Sequence, residues 1–340
     1  MDGARRDSLA AMTRAVGLIA NPASGKDIRR MFTYASVITN EAKKDIICRV
    51  LAGLAAMGVT DVYAMDDPKS LALAAAAVVP HAPTIHLLPF AGRGDATVTT
   101  RAAAALRELD VAAVVTLGGD GTNRAAAKGW LDIPVIALST GTNNAFPRHI
   151  DGTVAGMAAG VVANGAVSIH DVAQQSAVVH IEIVSPRAEL CRDLALIDAV
   201  VLDPGFVGAR ALSDPSQLRA AVCSRSDPAS VGICSIAGIA STRMGAGSAY
   251  SGPVSLTFDH NAARLLTVAF APGVIVPIGV SQATPLAFGD VVCHDGPALL
   301  AFDGERELSV DESCHINMWV QANGPLVIDV AAALRLANSK

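Results

Sequence analysis

The chain has 340 residues, more than one hydrophobic core usually fills, so its length favours two domains or one large one. Apolar residues make up 51% of it and charged residues 17%, a balance that argues against disorder over most of the chain. The net charge of −5, with Lys and Arg scattered along the sequence, disfavours nucleic acid or an anionic lipid surface as a partner.

Neither membrane insertion nor export is indicated by the apolar segments. The longest uninterrupted apolar run, residues 71–80, is about half as long as a membrane-spanning helix requires. Residues 15–20, which follow the first arginines, are too few for the hydrophobic region of a secretory signal. The six cysteines lie far apart and form no Cys-x-x-Cys pair. We therefore expect a cytoplasmic protein with reduced, mostly buried thiols and a flexible leader at residues 1–14.

The first half of the chain alternates short β-branched runs with alanine-rich stretches of helical length. This alternation is typical of βαβ units and predicts a parallel sheet covered by helices. Helices are predicted at residues 41–57, where apolar residues recur at three- and four-residue spacing, and at residues 95–109. The predicted strands are residues 16–20, 62–65, 84–88, 112–117 and 135–138.

After a predicted helix at residues 153–163 the pattern changes to short apolar runs separated by Gly, Pro, Asp and Asn, which favours antiparallel β structure. These strands are predicted at residues 177–184, 194–202, 254–258, 265–270, 274–280, 291–294, 298–302 and 316–321. A final strand at 326–330 and helix at 331–337 are predicted to pack back onto the first domain. We thus expect an α/β domain with a parallel sheet, formed by residues 15–165 and 324–340, and a β-rich sandwich domain formed by residues 166–323.

The loop after the fourth strand reads Gly-Gly-Asp-Gly-Thr-Asn over residues 118–123. Its glycines leave backbone N–H groups open to a phosphate, and the following helix would direct its positive end at the anion. Asp120 is suited there to take a proton from a hydroxyl or to hold a magnesium-bound water. The alternative is an ordinary strand-to-helix turn with Asp120 as the N-cap.

The loop after the first strand, residues 21–27, offers a hydroxyl, the open backbone of Gly25 and the ammonium group of Lys26. If the first and fourth strands are central and parallel, this loop lies at the same sheet edge and provides a second phosphate contact. It is not a Walker A loop, because Asp27 follows the lysine where Ser or Thr is needed. A dinucleotide fingerprint is also missing, because Thr97 stands at its third glycine, and this disfavours hydride transfer.

Two later loops are also rich in polar groups. Residues 139–147, after the fifth strand, carry hydroxyl and amide side chains that suit a ribose, a phosphate or a polyol, or that simply form a turn. Asp303 and Gly304 separate two β runs and predict a type I′ hairpin. In the functional alternative, Asp303 and Glu305 supply oxygen ligands to magnesium.

These stretches resemble the superfamily that joins NAD kinases with diacylglycerol and sphingosine kinases, and within it the ATP-NAD kinase-like branch that includes acetoin catabolism protein X. Residues 118–122 match its Gly-Gly-Asp-Gly-Thr loop, and residues 21–25 its Asn-Pro-x-Ser-Gly turn. Residues 141–144 resemble the Gly-Thr-x-Asn of the lipid kinases, and residues 303–305 their Asp-Gly-Glu. The resemblance implies a discontinuous N-terminal α/β domain and a C-terminal β-rich domain, with ATP and substrate in the cleft.

The resemblance also implies roles for individual residues. Asp120 is the expected general base, and a rival assignment taken from the lipid kinases gives that role to Glu305. Asp303 and Glu305 are the expected magnesium ligands, and Asn143 and Asn144 the expected substrate contacts. The residues expected to contact the nucleotide are Asn21, Pro22, Ser24, Gly25, Lys26, Gly118, Gly119, Gly121, Thr122, Asn123 and Thr142.

Three departures from the family pattern concern the acceptor. Arg124-Ala125 stands where the lipid kinases have Asn-Glu, and Ala145 replaces the Asp that ends their Gly-Thr-x-Asn-Asp. Ile197-Asp198 is the nearest counterpart of the Asn-Glu pair that holds the dinucleotide in NAD kinases. The first two departures alter the substrate side, and the third puts NAD in doubt as the acceptor.

We therefore expect a kinase that uses ATP and Mg²⁺ to phosphorylate an alcohol. NAD is the first acceptor to test, followed by a small diol, a polyol or a lipid head group. A regulatory module that binds a nucleotide without turnover is the alternative from a different class. The donor, ATP or polyphosphate, and the assembly, monomer or homo-oligomer, stay open.

Overall fold

The computed structural model describes residues 13–24, 34, 38–89, 96–141, 144–186, 189–204, 214–243, 245 and 250–339. Most of the expected leader, the predicted helix start at Asp95, and the expected site residues Gly25, Lys26, Thr142 and Asn143 lie outside these ranges. In the part of the chain that is described, no helix is long and apolar enough to cross a membrane.

The N-terminal half alternates strands and helices, as predicted. Its elements are β1 (Val16–Ala20), α1 (Asn40–Ala56), β2 (Asp61–Met65), α2 (Leu71–Ala76), β3 (Thr84–Leu88), α3 (Ala96–Glu108), β4 (Ala113–Gly118), α4 (Asp120–Gly129), β5 (Pro134–Ser139) and α5 (Gly152–Ala163). The central strands β1, β4 and β5 are buried at every position because helices cover both faces of a parallel sheet.

The strands of this half form one sheet in the order β3-β2-β1-β4-β5, all parallel. Two later strands extend it: β18 (Leu326–Ile328) pairs in parallel with β5, and β6 (Ala173–Gln175) closes the edge in antiparallel orientation. Helices α1, α2, α5 and the C-terminal α8 (Val330–Ala337) cover one face, and α3 and α4 cover the other. The strand order reverses between β1 and β4, so their carboxyl ends open a crevice of the kind in which α/β proteins bind ligands.

The remaining chain is mainly antiparallel β structure. Its elements are α6 (Ile169–Val172), β7 (Val178–Val184), β8 (Leu190–Ala195), β9 (Asp198–Leu202), a 3₁₀ turn (Pro215–Gln217), β10 (Leu218–Cys223), α7 (Ile233–Arg243), β11 (Val254–Phe258), β12 (Leu265–Ala271), β13 (Val274–Pro285), β14 (Val292–Asp295), β15 (Ala298–Phe302), β16 (Glu305–Val310) and β17 (His315–Gln321). They build a sheet in the order β12-β13-β11-β10-β9-β15-β16 and a second in the order β14-β17-β7-β8. The two sheets enclose an apolar core, and α7 packs on the outer face of the larger sheet.

The predicted strand at residues 194–202 is wrong in one respect, because it is two strands in different sheets. Strand β8 ends at Ala195 in the smaller sheet, and β9 begins at Asp198 in the larger one. The apolar run continues through the crossing because Leu196 and Ile197 are themselves buried, in the core that includes residues of α3 and α4. The prediction of mostly buried thiols is also wrong: of the six free cysteines, Cys223 and Cys234 alone are buried.

Candidate functional site

The loops that follow β1 and β4 lie side by side at the carboxyl edge of the sheet. Ala20 and Leu117 are paired in the two strands, and the N–H of Asn21 donates to the carbonyl of Leu117 at 3.2 Å. The side-chain amide of Asn21 donates to Oγ1 of Thr122 at 3.4 Å. Residues 21–24 are thus held directly against the glycine loop, at the crevice between β1 and β4.

The turn after β1 is fixed by side chains from three elements. Oδ1 of Asn21 accepts the N–H of Ala23 at 2.8 Å, and Oγ of Ser24 lies 3.0 Å from Oγ1 of Thr140, which follows β5. From α1, Nζ of Lys43 donates to the carbonyls of Asn21 at 2.8 Å and Ser24 at 2.7 Å. A fully buried ammonium group therefore lies beneath the turn.

Sequence reasoning missed Lys43. It stands on the buried side of α1, three and four residues before Ile46 and Ile47, in a stripe that is otherwise apolar. A lysine in such a stripe indicates a buried polar contact, because long charged side chains are almost never fully buried unless they are paired.

The glycine loop is tightly folded. A Cβ on Gly118 would collide with the side chain of Thr122, and one on Gly119 would lie 2.8 Å from Oδ1 of Asn144. Asn123, an expected nucleotide contact, is buried and holds the loop from within. Its Nδ2 donates to the carbonyl of Gly119 at 2.9 Å, and its Oδ1 accepts the hydroxyl of Thr116 at 2.7 Å.

Asp120 is the first residue of α4, and Gly119 takes the N-cap position. Its carboxylate accepts the N–H of Ala145 at 3.0 Å and that of Phe146 at 2.8 Å. Asp120 therefore joins the loop after β4 to the loop after β5. The backbone of Ala145 performs this contact, so the loss of a carboxylate side chain at that position leaves it intact.

Asn144, an expected substrate contact, lies between the two glycine-containing loops. Its Nδ2 donates to Oγ of Ser139 at 2.9 Å. A Cβ on Gly141 would lie 3.1 Å from the same nitrogen. Because Gly119 and Gly141 both approach Asn144 closely, its side-chain amide is packed between the loops that follow β4 and β5.

The β15–β16 connection is the predicted type I′ hairpin. Phe302 pairs with Glu305, and the two residues between them, Asp303 and Gly304, have φ angles of 49° and 82°. The Asp303 carboxylate, 8% exposed, accepts the N–H groups of three consecutive residues, 196–198, at 3.0, 2.8 and 3.3 Å. These are the N–H groups that leave the strand ladder where the chain crosses between sheets.

Burial raises the pKa of Asp303 to about 6, against the opposing effects of Arg124 and of the N–H donors. Its oxygens point at the backbone, which gives them partners other than a cation. Among the residues that the structure describes, no group of three or more His, Cys, Asp or Glu is arranged to hold a metal ion. A role for Asp303 as a magnesium ligand stays a prediction.

Arg124 occupies the position at which the lipid kinases carry Asn. It is 5% exposed, forms an ion pair with Asp193 at 2.9 Å, and donates through Nε to the carbonyl of Leu194 at 2.6 Å. Its guanidinium carbon lies 4.8 Å from the centroid of the Phe302 ring. Arg124 therefore anchors α4 to β8 and β15, and its charge lies beside the Asp303 hairpin.

A cleft that is open to solvent lies between Asp120, the Asp303 hairpin and the start of α7. It is lined by Asp120, Ala145, Ile197, Asp198, Val231, Gly232, Ile233, Phe270, Asp303 and Gly304. Glu305 lies close by, because a Cβ on Gly121 would be 3.7 Å from its Oε1. Both candidate bases, Asp120 and Glu305, are thus beside the first turn of α4, together with an aspartate, Asp198, from the Ile197-Asp198 pair.

Sequence reasoning also missed α7 and Arg225. The first residue of α7, Ile233, lines the cleft, and Arg225 belongs to the segment that leads into this helix. Burial lowers the pKa of Arg225, and the carboxylates of Asp120 and Asp303 act in the opposite direction. The cleft thus combines carboxylates that can accept a proton with the N-termini of α4 and α7, and a cation lies beside it.

Family models match two parts of the chain. The ATP-NAD kinase N-terminal domain matches residues 16–165, and the acetoin catabolism protein X C-terminal domain matches residues 177–323. The chain is also 34% identical over 337 residues to acetoin catabolism protein X of Cupriavidus necator, an alignment that covers 95% of this chain and 92% of that protein.

A solved structure shares the fold of this chain. The crystal structure of yeast NADH kinase complexed with NADH superposes with a TM-score of 0.51 at 14% identity, covering 96% of this chain and 86% of that one. A diacylglycerol kinase from Bacillus anthracis str. Sterne is more distant, with a TM-score of 0.36 and 13% identity over 94% of this chain and 98% of that one.

Proposed function

The chain belongs to the acetoin catabolism protein X family, and on the geometry of its cleft we propose that it is an ATP-dependent kinase that phosphorylates an alcohol. NAD is the first acceptor to test, because the yeast kinase of the same fold was crystallised with NADH. Small hydroxy compounds come next, because the relative from Cupriavidus necator is named for acetoin catabolism. A polyol or a lipid head group completes the acceptor panel.

One observation carries the proposal: the turn at residues 21–24 and the loop at residues 118–122 meet at the switch point of the parallel sheet. The hydrogen bonds from Asn21 to Leu117 and Thr122 hold them together. Open N–H groups at a helix N-terminus bind phosphate through the helix dipole and direct donors. We assign the nucleotide phosphates to this edge, with Gly118, Gly119, Gly121 and Thr122 on one side and Ser24 on the other.

In the proposed reaction, the acceptor hydroxyl attacks the γ-phosphorus of ATP, the bond to the β-phosphate oxygen breaks, and ADP leaves. The proton of the hydroxyl passes to a carboxylate in the cleft. Phosphoryl transfer requires the protein mainly to position the two substrates and to stabilise charge on the transferring group. The α4 N-terminus and the buried Lys43 charge beneath the turn supply that stabilisation from this chain's own groups.

Magnesium is the expected partner of the nucleotide, and it would neutralise charge on the phosphates when bound. Mg²⁺ is usually held by one or two carboxylates together with substrate phosphates and water, so a preformed cage is not required. Of the two ligands predicted, Glu305 suits this role better, because the Asp303 oxygens accept three backbone N–H groups.

Asp120 and Glu305 are rival assignments for the base. Asp120→Asn and Glu305→Gln, compared with the exposed control Glu312→Gln, should separate them, because loss of the true base should lower kcat by about 10²- to 10⁴-fold. Asp120→Asn should also lower stability, because an amide donor would replace one oxygen facing the N–H groups of residues 145 and 146. Urea unfolding of each variant separates the catalytic effect from the structural one.

The deciding experiment is an acceptor screen with ATP and Mg²⁺ in which mass spectrometry detects each phosphorylated product. Polyphosphate is run in parallel as the donor. Transfer to at least one acceptor, abolished in one of the two carboxylate variants, supports the kinase. Tight nucleotide binding in calorimetry without ADP release for any acceptor would favour the regulatory module, and normal turnover in both variants would reject the scheme.

A further inference from the structure

Arg225 is half-buried beside the cleft, and it has no charged partner at hydrogen-bond distance in the described part of the chain. Its guanidinium carbon is 5.8 Å from the centroid of the Phe146 ring, next to Ala145 of the cleft wall. A half-buried arginine without an ion-pair partner keeps guanidinium N–H donors that a bound anion can reach. Such a residue is explained most simply by a ligand that supplies the missing anion.

The carboxylates nearest to Arg225 have other partners. Asp120 accepts N–H groups of residues 145 and 146, and Asp303 accepts those of residues 196–198. Both act on Arg225 through space. The two aspartates therefore attract the guanidinium electrostatically and leave its N–H donors available to a bound molecule.

The N-terminus of α7 points to the same kind of ligand independently. Gly232, with φ at +89°, turns the chain into the 11-residue helix, and its own N–H donates to the carbonyl of Ala269. Within the described residues, the N–H groups of Ile233 and Cys234 have no acceptor. Ile233 lines the cleft, so free amide donors and the positive end of a helix dipole lie along its wall.

We propose that Arg225 and the first amides of α7 bind an anionic group, a phosphate or a carboxylate, on the acceptor alcohol. This inference rests on the proposed kinase function and deepens it: the acceptor is a negatively charged hydroxy compound, and a neutral diol is a poor substrate. Asp120 and Ile233 line one cleft. A single small molecule can therefore present its hydroxyl to the carboxylates at α4 and its anion to α7.

Arg148 strengthens the charge argument. It lies close enough to Arg225 to lower the pKa of that guanidinium, so two cations are near one end of the cleft. Two like charges brought together repel, and a bound anion relieves that repulsion. The two cations lie on the segments that precede α7 and follow β5.

The test uses the full chain, anionic probes and one neutral control compound. Glycerol 3-phosphate and glycerate present a phosphate and a carboxylate, and glycerol is the neutral control; NAD is the diphosphate probe. Calorimetry measures binding of each probe, and initial rates with ATP and Mg²⁺ measure turnover. The variants are Arg225→Met and Arg225→Lys, and the control is Arg243→Met, an exposed arginine at the other end of α7.

Arg225→Met should weaken anionic probes by about 10- to 100-fold and leave glycerol unchanged, because hydrogen bonds between charged groups are lost. Arg225→Lys should retain part of the affinity, and Arg243→Met all of it. The ratio of phosphate to carboxylate affinity identifies the anion. If Arg225→Met fails to fold in circular dichroism, the comparison of Arg225→Lys with the wild type decides.

Equal binding of glycerol and the anionic probes to the wild type would overturn the inference, as would equal affinities of Arg225→Met and Arg243→Met. Anion binding that depends on Arg225, without phosphoryl transfer to any probe, would leave the anion site standing and reject the kinase. The two failures are therefore distinguishable.

Discussion

Replacing Lys43 by Met tests whether a buried ammonium group holds the turn after β1. Methionine keeps most of the apolar stem, so the main loss is of the donors to the carbonyls of Asn21 and Ser24 at 2.8 and 2.7 Å. Each hydrogen bond to a charged group contributes about 1.5–3 kcal/mol, so we expect a loss of about 3–6 kcal/mol in the free energy of unfolding. The site is fully buried, so water does not replace the donors.

The neighbouring variant Lys44→Met is the matched control. Lys44 lies on the same helix, is partly exposed, and contacts Asp45 only at 4.0 Å, so its loss should cost under about 1 kcal/mol. Urea unfolding measures both variants, and calorimetry with ATP measures nucleotide affinity under conditions in which both remain folded. Lys43→Met should bind ATP about 10- to 100-fold more weakly, because the turn is displaced by a fraction of an ångström or more. Equal stability and equal ATP affinity in the two variants would refute this role of Lys43.

Three further predictions concern the glycine loop and the charges behind it. Gly121→Ala should raise the free energy of unfolding by about 0.5–1 kcal/mol, as alanine favours a helix, yet weaken ATP binding in calorimetry; unchanged ATP affinity would contradict a phosphate cradle at this residue. Arg124→Met should cost about 3–5 kcal/mol in urea unfolding because it breaks a buried ion pair, whereas Arg192→Met, which breaks an exposed pair, should cost under about 1 kcal/mol. Asp303 is protonated more readily in the folded state, with its pKa raised from 3.8 to about 6, so the free energy of unfolding should fall by about 3 kcal/mol as the pH rises across this interval. Urea unfolding over a pH series should show that fall in the wild type and not in Asp303→Asn.

The strands of the N-terminal half were predictable because features of the local sequence mark their ends. Each predicted strand of the first half ends within one residue of an observed strand, because glycine and polar loops mark the boundaries of runs such as Val16–Ala20 and Thr84–Leu88. The meeting of the loops after β1 and β4 followed from one further assumption, that β1 and β4 are central neighbours. Parallel strands place their carboxyl ends at one edge, so loop position followed from strand order.

The errors in the second half have physical causes. The crossing at residues 196–197 was hidden because its own residues are apolar and buried, like those of the flanking strands. A carboxylate 106–107 residues later supplies the missing hydrogen-bond acceptor. The sequence of α7 has helical periodicity, but the second half of the chain was predicted as β structure throughout. Ile233, Ile236, Ala237 and Ala240 recur at helical spacing and pack on the larger sheet.

The three cations that organise the site were not predictable from loop motifs. Lys43, Arg124 and Arg225 lie in or next to regular elements, and their partners are distant in the chain: Asp193 is the ion-pair partner of Arg124, and Phe146 the ring beside Arg225. A sequence motif identifies the residues of a loop. It does not identify the side chains of other segments that contact that loop. Such contacts depend on the packing of elements far apart in sequence.

The contacts of Arg124 and Ala145 explain why both positions depart from the lipid-kinase pattern. Ala145 presents its backbone N–H to Asp120, a contact that needs no particular side chain, and Arg124 anchors α4 to the β sandwich. Both changes therefore leave the contacts among residues 21–24 and 118–122 in place. In the proposed kinase, these substitutions would affect the acceptor rather than the nucleotide. Acceptor specificity, more than nucleotide binding, is where we expect this chain to differ from kinases with the full motifs.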